Sequence, residues 1–458
     1  MIIGWKLRTR VSVFGLTGGL IIGASFAAGE VNAQTAPSFD PKRFVFEDPL
    51  LGYAPKQGRA LVDQWQPPER AKPVSHFYAG AEYLLWWVKG APLSVPLVST
   101  GPIATTHHGL LGPPAEDGAD STVLYGAPHS PAQGGNDTQN FPGFSGTRLT
   151  LGYRVDDPGR LAFEASGFVL QSQSAGYSAR GGSDGNPVLG IPVHNSVSYS
   201  IGSMIIFPGE DSLPFSLPSD PARARGNDGV LTGGIDITNK LQLWGIGATS
   251  VVNLYRTSNW EVSGLVGFRY LDLAESFHLV VNIEGVSGMY AGQSGVAQDL
   301  FETRNQFYGV MLGLRGRYAW GRVSLALSGG AAVGVSHETI DVSGGFTSVN
   351  FGPSSGPEGV FAQPANEGRT SRNHFAVVPE ATAKLGYDLT PWLTVSIGYD
   401  ILYYSNVVRP TDQIDRNIPK GQTFLQAATT ISTTSPSRLF NTTDFYAQGL
   451  NVGLTARF

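Results

Sequence analysis

Phe445 to Phe458, FYAQGLNVGLTARF, alternates in polarity along its length. Tyr446, Leu450, Val452, Leu454, Ala456 and Phe458 share one face of a strand, with Gln448 as a polar interruption. Asn451, Gly453, Thr455 and Arg457 share the other. One face suits lipid and the other suits water. A long two-faced strand that closes on an aromatic residue is expected of an outer-membrane β-barrel, where Phe458 would also serve as a signal to the barrel assembly machinery. The competing reading is an edge strand of a soluble sandwich.

The opposite end agrees. Lys6, Arg8 and Arg10 precede an apolar, Gly-rich run from Val11 to Ala28, and Val31-Asn32-Ala33 offers small residues to a signal peptidase. Residues 1–33 therefore read as a signal peptide; Gly15, Gly18, Gly19 and Gly23 make the run a poor permanent span. Its removal takes away three basic residues and Glu30, moving the formal charge from −5 to −7. That acidity gives no reason to expect nucleic acid as a partner. The absence of cysteine excludes a disulfide framework, thiolate metal sites and Cys catalysis.

Residues 34–75 are punctuated by Pro37, Pro41, Pro49, Pro55, Pro67, Pro68 and Pro73 and read as a periplasmic extension, with the barrel in 76–458. Ten segments there carry period-two alternation over the length an outer membrane requires: 77–88, 147–155, 160–170, 243–255, 260–272, 307–318, 322–335, 375–388, 393–403 and the stretch from Phe445. Short connections at 156–159, 257–259, 320–321 and 390–391 alternate with long ones at 89–146, 171–242, 273–306, 336–374 and 404–444. Strict alternation of short and long is the pattern of an all-β, up-and-down antiparallel transmembrane barrel with short periplasmic turns and long external loops. Strand-like stretches inside the loops, such as Val197 to Phe207, keep twelve strands open as an alternative. Trp86, Trp87, Trp260, Trp320, Trp392, Tyr153, Tyr255, Tyr318, Tyr403 and Tyr404 fall near strand ends, where amphipathic rings favour the headgroup level.

Four blocks carry a family resemblance: FYAGAEYLLWWVKG (77–90) with Pro92-Leu93 and Pro96-Leu97-Val98, GFRYLDL (267–273), SNVVRPTDQIDR (405–416) and FYAQGLN (445–451). Together they make the chain, over about 76–458, resemble the type-seven β-barrel porin family. The resemblance implies an outer-membrane barrel. It implies no substrate.

Projected inward, the alternation gives a charged lumen of Glu82, Glu164, Glu261, Glu380 and Asp400 against Arg148, Arg154, Arg269, Arg315, Arg317, Lys384 and Arg457. Water or opposite partners can solvate such charges, either as a selective pore or as a salt-bridged filling. Unpaired guanidinium groups would favour anions. Arg409, Asp412, Asp415 and Arg416 form a second constellation, suited to a constriction at the barrel mouth or to ordering of the last loop. Catalysis would need a base beside a nucleophile at the external rim. His107 and His108 share a loop with Glu116, Asp117 and Asp120, and His278, His337 and His374 lie near the rim, without a nucleophile motif. The expectation is a porin without enzyme activity, cofactor or metal, whose partners are outer-membrane lipid, the assembly machinery and small solutes. A surface-structural or adhesive barrel without an open pore is the alternative, and an outer-membrane hydrolase comes third.

Overall fold

The computed structural model describes residues 76–458 except 102–120, 129–133, 156–159, 197, 202–203, 207, 220–228, 351–353 and 420–433. The signal peptide, the extension, the turn at 156–159, His107, His108, Glu116, Asp117 and Asp120 lie outside the described residues.

Ten antiparallel strands close into a ring: β1 Phe77–Val88, β2 Phe144–Arg154, β3 Leu161–Leu170, β4 Leu231–Arg256, β5 Trp260–Gly285, β6 Ser294–Trp320, β7 Val323–Val349, β8 Gly368–Asp388, β9 Leu393–Val408 and β10 Thr442–Arg457. Each pairs with the next, and β10 returns to β1 in a register running from Tyr78↔Arg457 to Val88↔Ala447. Closure pairs the wall's backbone groups with one another and leaves no strand edge facing lipid. The alternative of twelve membrane strands is thereby corrected. Gln173–Arg180 and Ser355–Gly356 join the sheet outside the ring, and Tyr199–Ile201 with Met204–Ile206 forms a separate hairpin.

Strands β4 to β7 run for 26 or 27 residues, far beyond one crossing. Near the short turns their outward residues are apolar and exposed, as Val310, Leu312 and Leu314 show on β6. Farther along the same strand Gln298, Glu302 and Arg304 face outward, while Phe301 and Ala297 are buried inside. The alternation keeps its period and exchanges its faces. The change follows the hydrogen-bond register across five strands: Ile246, Tyr270, Tyr308, Val335 and Phe375 form one outward row, and Trp244, Asp272, Gln306, His337 and Asn373 form the next. Much of the expected loops at 171–242, 273–306 and 336–374 is therefore strand that rises above the bilayer.

A five-stranded sheet sits at the mouth, built from Gly209–Ser216, Leu189–Asn195, Pro96–Thr100, Thr122–Gly126 and Asn417–Ile418. Leu97, Ile191, Val193, Phe215 and Ile418 from this sheet pack with Ile237, Phe277, Val281 and Phe301 from the raised wall into one dry core. Apolar burial of this kind is the main stabilising term available outside the membrane. The aromatic assignment needs one correction. Trp87, Trp260, Trp320, Trp392, Tyr153, Tyr255 and Tyr318 are exposed at the wall, whereas Trp86 and Tyr404 are buried in the lumen. In both cases the neighbouring residue takes the outward position, because successive side chains point to opposite faces.

Candidate functional site

From the short-turn end outward, the lumen is stacked in layers. First comes a vestibule of about 210 Å³ lined by Tyr78, Arg154, Glu164, Arg256, Glu261, Arg315, Arg317 and Arg457 among others. Arg315 gives two parallel hydrogen bonds to Glu164, 2.7 and 2.8 Å, and the Tyr78 hydroxyl donates to the same carboxylate at 2.5 Å. Glycine at position 152 makes room for the Tyr78 ring, since a Cβ there would meet it at 2.0 Å. Arg256 donates to Glu261 at 2.7 Å, Arg457 lies 3.5 Å from Asp388, and the Arg154 guanidinium sits 5.0 Å from the centre of the Tyr78 ring.

The next layer is a continuous ion network. Glu82 and Asp400 share Arg148, at 3.0 and 3.1 Å, and Lys384 pairs with the second oxygen of Glu82. Thr382 and Asn451 complete Asp400, each donating at 2.8 Å. Arg269 pairs with Glu380 at 2.6 Å. Glu82 and Arg148 are cross-strand neighbours on β1 and β2, whereas Arg148–Asp400, Lys384–Glu82 and Arg269–Glu380 each join strands three apart in the ring, so those side chains reach over the lumen to meet. Of the arginines expected to give the lumen a positive bias, Arg148, Arg269 and Arg315 thus have their charge matched by a carboxylate. Arg317 shows no such bond among the described residues.

Above the charges lies an apolar layer. Leu84, Trp86, Phe144, Phe168, Leu271, Phe307, Leu402, Tyr404 and Phe445 belong to one buried cluster. Trp86 is 1% exposed and meets Phe168 at a tilt with ring centres 5.2 Å apart, while Phe307 and Tyr404 are fully buried with ring centres 5.7 Å apart. The two layers are coupled, because the guanidinium of Arg148 faces the Trp86 ring at 5.6 Å and that of Arg269 faces Phe168 at 5.4 Å.

The last loop caps this layer. Arg409 is wholly buried and bonds Glu275 through Nε at 2.9 Å and Nη2 at 2.5 Å, with Nη1 donating to the Gly90 carbonyl at 2.6 Å. Asn305 of β6 brackets Val408, donating to its carbonyl and accepting from its amide, both at 2.8 Å. Asp412 pairs with Ser94, and burial holds its carboxyl above the ordinary range. Asp415 accepts from the amides of Asn417 and Ser437 at 2.9 and 2.7 Å. Arg416 bonds Glu210 of the mouth sheet at 2.7 Å. Arg409 and Arg416 thus fasten the loop to β5 and to the mouth sheet, Asp412 ties it to the segment before Pro96, and Asp415 holds the loop to itself.

Sequence reading alone did not single out Glu275, Asn305, Glu338 or Asp299. Glu275 and Asn305 could have been found by carrying the inward parity of β5 and β6 past the membrane boundary. Asp299, fully buried, accepts from the amides of Val360, Phe361 and Ala362 at 2.8 to 3.0 Å and so pins the segment that follows. Of the rim histidines, His374 Nδ1 approaches Glu338 at 3.5 Å and His337 meets Asn373 at 2.8 Å. Among the described residues, none of the three rim histidines shows a hydrogen bond to a hydroxyl nucleophile.

No curated protein matches this chain. Solved structures similar to it include the outer membrane protease OmpT from Escherichia coli, at 9% identity over 84% of this chain and 98% of that one, with a TM-score of 0.40. A Pseudomonas aeruginosa FadL homologue aligns at 9% identity over 84% and 91% with a TM-score of 0.21, and OmpT of Vibrio cholerae at 8% over 83% and 97% with 0.18. The family model described as Putative beta barrel porin-7 (BBP7) matches residues 78–458, which takes in the ring, the lumen layers and the mouth. This chain belongs to that family of bacterial outer-membrane β-barrels.

Proposed function

We propose that the protein is an outer-membrane barrel closed at rest, whose working surface is the raised wall and mouth sheet on the external side. The buried layer around Trp86, Phe168, Phe307 and Tyr404 carries this reading. A passive pore needs a continuous wet path, and a solute on the barrel axis would have to displace these rings and then break the Arg409–Glu275 pair. Ten-stranded barrels are also narrow, and aqueous channels are typical of about sixteen strands. A second reading is gated passage of small solutes, favoured by the polar vestibule beneath the apolar layer. In that case the 409–418 segment is the gate.

Planar-bilayer recording on the purified barrel distinguishes the two. The closed reading expects no steady conductance from the wild type. It also expects none from Asp412→Ala, which loosens the loop without opening the apolar layer. Stable channels from the untreated wild type would overturn it, and channels that appear only when 409–418 is loosened would favour the gate.

A further inference from the structure

Among the arginines that line the vestibule, Arg315 is taken up by Glu164, Arg256 by Glu261 and Arg457 by Asp388, which occupies the carboxylates within reach. Arg315 and Arg317 are two apart on β6 and so point into the same space. Arg317 projects there with no hydrogen bond or ion pair among the described residues, and Arg457 lines the same cavity. A guanidinium fork matches the geometry of an oxyanion and binds it through two parallel hydrogen bonds. The cavity, about 210 Å³, holds the volume of roughly seven water molecules, enough for a tetrahedral anion and its remaining hydration. Partial enclosure by the wall strengthens the attraction relative to open water.

We propose that this vestibule is a binding site for a small oxyanion of the phosphate or phosphate-monoester class, entered from the periplasmic side, with Arg317 as its principal donor. The site lies below the apolar layer, so it is reachable whether or not the lumen ever opens, and it does not depend on the closed-barrel reading. Calorimetric titration of the full-length, detergent-solubilised protein with inorganic phosphate at low ionic strength is the test. Saturable binding is expected, weakened about tenfold or more by Arg317→Gln, as befits loss of a charge-assisted pair. Arg180→Gln, at an exposed pair on the raised wall, should bind as the wild type does. Arg317→Lys keeps the charge and loses the fork, and should fall between; it decides the matter if the Gln variant fails to show the heat-dependent gel shift of a folded barrel. Wild-type affinity in the Arg317 variants, equal loss in Arg180→Gln, or no saturable binding by the wild type would each overturn the proposal.

Discussion

Removing either member of the Arg409–Glu275 pair should unfasten the barrel mouth, and removing both should largely restore it. Both side chains are almost wholly excluded from solvent, at 0% and 2% exposure. Arg409→Met leaves the Glu275 carboxylate buried without its counter-charge; Glu275→Gln does the same to the guanidinium, whose remaining partners are the Gly90 and Lys89 carbonyls and the Phe445 ring. Breaking a buried pair in this way costs about 3–5 kcal/mol, because the surviving charge keeps its desolvation penalty. At 1.4 kcal/mol per decade, that is roughly a thousandfold increase in the opening equilibrium of the last loop. In Arg409→Met with Glu275→Leu no charge remains buried, and the loss reduces chiefly to the Gly90 carbonyl left without its donor, about 1–3 kcal/mol. Hydrogen exchange at the amides of 409–418, read beside the heat-dependent gel shift, separates mouth opening from loss of the barrel. If the double variant opens as far as the sum of the two single variants, the pair is not coupled and the reasoning fails.

Two further outcomes are expected. Burial pushes the Asp299 carboxyl from 3.8 up to about 6, so the folded segment keeps a proton that an open one releases. The stability this group gives is therefore full below about 4 and lost as pH rises through 6. Opening at the amides of Val360, Phe361 and Ala362, corrected for intrinsic exchange, should grow about tenfold per pH unit within that window and level off above it. A profile without pH dependence there would contradict the assignment. Trp86→Ala should cost about 3–5 kcal/mol by leaving a cavity in the lumen layer, and should lower the temperature of the gel shift well below that of Trp87→Ala, whose side chain faces lipid. Equal shifts in the two variants would mean that the layer contributes little.

Much of the membrane part was legible because alternation states both the face and the period of a strand. The closing strand, the ten-strand ring and the inward direction of Glu82, Arg148 and Asp400 follow from parity alone. Parity cannot give partners. That Arg148 reaches Asp400 as well as its cross-strand neighbour Glu82, while Arg317 shows no carboxylate bond among the described residues, depends on which strands face each other across the lumen. The raised wall was hidden for a different reason. Beyond Tyr270 and Tyr308 the outward face turns polar and the inward face apolar, so a search for lipid-facing alternation stops at the boundary and takes the rest for loop. Trp86 and Tyr404 were misplaced because each adjoins another aromatic residue, Trp87 and Tyr403, and proximity to a strand end does not choose between the two faces. Glu275 and Arg409 lie 134 residues apart, a separation no local pattern reports.

The sharp change along the outward rows of β4 to β8 also sets how deep the molecule can float. Sinking by one pleat would drag Asp272, Gln306 and His337 toward hydrocarbon, and rising by one would strand Tyr270, Tyr308 and Phe375 in water. Each direction is opposed, the first by the cost of immersing polar groups and the second by the loss of apolar contact with acyl chains. A bilayer of different thickness must then deform around the barrel, at fractions of a kcal/mol per Å of mismatch. The wall therefore has a fixed waterline, and the mouth sheet is held at a constant height above the cell surface.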